Sequence, residues 1–104
     1  MSEICLHVID CIPDTENSRL FHQAMINAMA NSYTKYGAVA DAYPEKVNAL
    51  ESLNLRLQKY LETGNTEYLI DVANFAMIEF MWPRLLTAHY TPSDTSPGDR
   101  KSVV

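Results

Sequence analysis

Residues 63–81, TGNTEYLIDVANFAMIEFM, limit what this chain can fold into more than any other stretch. Gly64 ends one helix and Asn65 or Thr66 caps the next at once, so the flanking segments are expected to be antiparallel neighbours. The second segment is apolar almost throughout, from Tyr68, Leu69 and Ile70 to Phe80. A surface helix carries a broader polar face, so this one is expected to be covered on most sides, in a bundle or at a subunit contact. Its polar exceptions Glu67, Asp71 and Asn74 project within about 60° of one another at 100° per residue, forming one narrow line. Glu79 lies roughly 120° from Glu67 and belongs to a different face.

The helix that stops at Gly64 is expected to start at Pro44, which suits a first turn, with Glu45 favouring the dipole. Val47, Leu50, Leu53, Leu57 and Leu61 give its apolar seam. An earlier helix is expected from Asp14 or Thr15 as N-cap, with Glu16 in its first turn, to Tyr36, where Gly37 supplies the stop. Leu20, Phe21, Ala24, Met25, Ala28 and Met29 mark its buried side. Residues 38–43 connect the two helices. The third helix runs to about Trp82 and is stopped by Pro83, after which RLLTAHY can add a turn. Residues 4–9, ICLHVI, suit a short strand or extended arm, paired with another copy of the chain or packed on the bundle.

From Thr91 the composition changes to TPSDTSPGDRKSVV, an irregular tail. The expected fold is therefore all-α: a small helical bundle of about three helices with an N-terminal extended arm. Residues 1–90 form one helical domain and residues 91–104 the tail.

The 104 residues make one domain with one modest core. Eight Lys and Arg against thirteen Asp and Glu leave a net charge of −5, which argues against affinity for a nucleic-acid backbone. No stretch of 18 apolar residues and no signal-type start is present, so a cytosolic protein without a membrane partner is expected. Cys5 and Cys11 lack zinc-type spacing and read as two reduced thiols or one disulfide. His7, His22 and His89 are scattered, and neither a phosphate-binding Gly-rich loop nor a nucleophile with its base is evident.

Two groups of residues remain as candidates for chemistry. The Glu67, Asp71 and Asn74 line either faces water or lines a pocket, where the carboxylates would hold Mg²⁺ or accept hydrogen bonds from ribose and base. The Asn74 amide both donates and accepts. In SYTKYG, Tyr33 and Tyr36 flank Lys35, a combination that serves base stacking and phosphate neutralisation or simply ends a helix. Arg56, Lys59 and Arg84 are further cations, equally suited to surface pairs. Trp82 reads as a helix-end core residue.

The segment RLQKYLETGNTEYLIDVANFAMIEFMWPR, with the later AHYTPSDTSPG, resembles a family of small bacteriophage-encoded proteins. That resemblance covers residues 56–98 and implies expression in the cytoplasm of a bacterial host. More distantly, the second helix followed by EYLIDVANFAMIE looks like the second half of the MazG-like all-α nucleotide pyrophosphatases. Those enzymes pair E-x-x-E on one helix with E-x-x-D on the next to hold Mg²⁺ against a nucleotide. Here Glu51 is followed by Asn54 and Asp71 by Asn74, which lowers the charge offered to a hard cation.

The combined expectation is a phage accessory protein that binds a nucleotide or nucleotide-derived signal and sequesters a bacterial immune messenger, without a cofactor. Tyr33, Lys35, Tyr36, Arg56, Glu67, Asp71 and Asn74 would form sites between helices or between subunits of a homo-oligomer. One alternative is a divergent Mg²⁺-dependent pyrophosphohydrolase using Glu51, Glu67 and Asp71. Another is an interaction protein that inhibits a host enzyme.

Overall fold

The computed structural model describes residues 11–93, which form three α-helices and no strand. Helix α1 spans Arg19–Tyr36, α2 spans Ala49–Thr63 and α3 spans Glu67–Met81. A 3₁₀ turn, Val39–Asp41, lies in the connector between α1 and α2. The all-α fold with three helices is as expected. Residues 4–9, read as an arm or strand, lie outside the described residues, as does most of the C-terminal tail.

The two upstream helices start later than the sequence suggests, and side-chain caps explain why. Before α1, Pro13 and Glu16 close a turn, with the Glu16 N–H donating to the Pro13 carbonyl at 2.9 Å. Ser18 then takes an extended backbone and its Oγ accepts from the Phe21 N–H at 3.0 Å, so Ser18 rather than Asp14 or Thr15 is the N-cap. Pro44 does not open α2 either. It follows a cis peptide bond from Tyr43, inside a connector where the Lys46 and Val47 N–H groups both donate to the Ala42 carbonyl. Asn48 starts the helix instead, its Oδ1 accepting from Leu50 N–H at 3.1 Å and Glu51 N–H at 3.2 Å.

The break between α2 and α3 matches the expectation closely. Gly64 adopts φ +72°, the left-handed conformation that glycine enters without a Cβ penalty, and its N–H donates to the Tyr60 carbonyl at 2.7 Å. Thr63 Oγ1 accepts from Asn65 N–H and Asn65 Oδ1 accepts from Glu67 N–H, so Asn65 satisfies the first turn of α3. Helix α3 ends at Met81 with Trp82 as its C-cap, and the chain then runs on without further helix to residue 93.

Helix α3 is central: α2 packs along it through the Gly64 reversal, α1 packs on it less extensively, and α1 and α2 barely meet. The buried set is small as a result. Among the described residues only Ala49, Asn74 and Ile78 are buried. On α1 the expected inner side is half-buried at Phe21, Ala24, Met25, Ala28 and Met29, whereas Leu20, the second residue of the helix, is 82% exposed. On α2 the expected seam fades along the helix, and Leu57 and Leu61 lie exposed because α1 does not reach them. The covering expected for α3 is likewise incomplete in the single chain, since Phe80 and Met81 are exposed.

Candidate functional site

Three helices with α3 in the middle and α1 held away from α2 leave a trough along one side of α3. It is a groove of about 1060 Å³ between α1, the connector and α3, with Arg56 reaching in from α2. Five of the seven residues singled out in the sequence line it: Tyr33, Tyr36, Arg56, Asp71 and Asn74. Lys35 and Glu67 do not, and both are exposed. The polar line along α3 is therefore split by the fold: Glu67 faces water, Asp71 is half-buried and Asn74 is only 6% exposed.

Asn74 is held by a bond that crosses the groove floor. Its Nδ2 donates to the main-chain carbonyl of Met25 on α1 at 3.2 Å. A carbonyl only accepts, so this bond fixes which end of the amide is nitrogen. Asn74 Oδ1 is left buried without a hydrogen-bond partner among the described residues. Such an acceptor costs about 1–3 kcal/mol while it lacks a donor.

One turn earlier on α3, Asp71 Oδ2 lies 3.5 Å from Arg56 Nε, and both side chains keep contact with solvent. Burial pushes the Asp71 carboxyl above the ordinary carboxylate range; the Arg56 guanidinium opposes the shift and the nearby Glu67 carboxylate adds to it. Arg56 thus serves first as the counter-ion of Asp71. Glu51, Glu67 and Asp71 do not come together as a metal site, and no group of three or more His, Cys, Asp and Glu able to hold a metal ion occurs among the described residues.

The sequence reading missed the apolar lining. Met25 and Met29 on α1 and Met77 and Met81 on α3 all line the groove, so four of the five methionines of the chain gather there. The signal was present as two i, i+4 methionine pairs on facing helices. Unbranched thioethers adapt to varied shapes and make favourable contacts with aromatic rings, which suits a face for a planar guest. Tyr43 also joins the lining, and burial raises its phenol above the usual value.

Among the described residues, no helix is long and apolar enough to cross a membrane. No protein-family model, no curated protein and no solved structure matches the chain.

Proposed function

We propose that the groove binds a nucleotide or nucleotide-derived signalling molecule without turning it over. The observation that carries this reading is the convergence of two tyrosines, one arginine, one carboxylate and one buried amide on a single methionine-lined trough. A nucleotide needs those features together: an apolar and aromatic slot for the base, a few directional polar groups for base and ribose, and a cation for phosphate. Tyr33 and Tyr36 supply the stacking faces. Asp71 and Asn74 supply acceptors for N–H and O–H edges, and Arg56 supplies the charge.

The charge balance narrows the ligand further. Arg56 is partly neutralised by Asp71, and Lys35 stands outside the groove, so the described residues bring no cluster of free cations to it for a triphosphate. A ligand with one or two phosphates, or a cyclic phosphodiester, fits this electrostatic setting better. Together with the resemblance to small phage proteins, binding without turnover makes the protein a sponge for a bacterial immune messenger. Titration calorimetry against cyclic and ADP-ribose-derived nucleotides tests the reading. Saturable heat with one class of ligand is expected, and no heat from any of them at millimolar concentration contradicts it.

A further inference from the structure

Helix α3 also carries an apolar face turned away from the groove. Leu69, Ala73, Ala76 and Phe80 recur at spacings of four, three and four, and at 100° per residue they fall within about 60° of arc. None of the four lines the groove. Ala76 is exposed and Phe80 is 72% exposed, while Leu69 and Ala73 are half-buried. Glu79, the nearest charged residue of α3, is turned about 90° from the centre of this seam. In a chain of net charge −5, such a face is where two copies meet with least repulsion.

We infer that this face is the contact between two copies of the chain, with the two α3 helices antiparallel about a two-fold axis. The spacing reads the same in both directions, so reversing one helix sets Phe80 of each copy beside Leu69 of the other. Ala73 and Ala76 then face each other at the crossing, where small side chains let the backbones approach. The exposed ring of Tyr90 packs edge-to-face on Phe80 with centroids 6.3 Å apart and widens the contact. Half the surface of a 15-residue helix of ordinary diameter offers roughly 400 Å². That figure already includes Phe80, and the exposed Tyr90 ring brings it to roughly 500 Å², below the ~800 Å² per partner of a standard interface and in the range of weak, transient contacts. The area fits a dimer that dissociates on dilution. This contact stands independently of the ligand reading, because it uses the opposite side of α3.

Sedimentation velocity of the full chain across a hundredfold concentration range tests the assignment. Wild type is expected to shift from monomer to dimer. Ala76→Glu, with helicity checked by circular dichroism, is expected to raise the dissociation constant at least tenfold. Phe80→Ser is expected to do the same and serves as the second probe, since that ring is mostly outside the protein already. Leu55→Glu, on the exposed side of α2, leaves association unchanged. A wild type that stays monomeric overturns the assignment, as does association that survives Ala76→Glu and Phe80→Ser or is lost in Leu55→Glu.

Discussion

Asn74 Nδ2 donates to the Met25 carbonyl at 3.2 Å, joining α3 to α1 across 49 residues of sequence. Asn74 therefore acts as a clamp between helices. A carboxylate at this place would set an oxygen against a carbonyl that has no hydrogen to give.

That geometry makes the two near-isosteric replacements of Asn74 differ. Asn74→Leu loses one hydrogen bond worth about 1 kcal/mol but also removes a buried acceptor whose lack of a partner costs a similar amount or more. Its chemical-denaturation midpoint is expected to stay near that of wild type while ligand binding is lost. Asn74→Asp buries an uncompensated charge and is expected to cost about 3 kcal/mol at neutral pH. Its stability should recover as the pH falls and the new carboxyl takes up a proton. Equal behaviour of the two variants in urea would contradict the clamp.

Asp71 gives a prediction in pH. Its carboxyl is raised above the ordinary value, so the folded chain holds this proton more tightly than the unfolded chain. The associated stabilisation is complete below the unfolded value and is lost as pH rises through the folded one. Asp71→Asn, which cannot ionise, is therefore expected to melt no lower than wild type at pH 7, with any advantage shrinking towards acid. Solvent contact at the Arg56 pair keeps the effect small. A large loss of stability in Asp71→Asn at pH 7 that is relieved in acid would show that the ion pair outweighs burial.

Arg84 ties the segment after α3 to the connector. Its Nη1 donates to the Pro44 carbonyl at 2.9 Å, while its main-chain N–H donates to Glu79 Oε2 at 2.8 Å. Arg84→Ala removes the first bond and keeps the second. A cost of about 1 kcal/mol is expected, with faster amide hydrogen exchange at Lys46 and Val47, whose bonds to the Ala42 carbonyl hold the connector turn. Unchanged exchange at those two amides would mean that the connector is held by its own turns alone.

Much of this architecture was legible because local signals and tertiary contacts agree. Gly64 and Asn65 mark the reversal by conformation and capping, and both operate within three residues. The starts of α1 and α2 were less legible, because Asp14, Thr15 and Pro44 are all acceptable at a helix start and only the realised hydrogen bonds of Ser18 and Asn48 decide. In the groove, the tyrosines and Arg56 were readable from residue type. The separation of Asn74 from Glu67 was not, because both lie on one line of α3 and only the position of α1 covers one and leaves the other in water. The methionine lining depends on how two helices distant in sequence face each other, and a single-helix pattern does not contain that.

The most direct measurement of the central claim is a ¹H–¹⁵N NMR titration with whichever nucleotide gives heat by calorimetry, followed to saturation. Binding in the groove predicts shifts concentrated at the Asn74 side-chain amide and at the backbone amides of Met25, Tyr33, Tyr36 and Met77, with affinity reduced at least tenfold, about 1.4 kcal/mol, in Arg56→Ala. Shifts confined to α2 around Leu55 and Leu61, or affinity indifferent to Arg56→Ala, would contradict it.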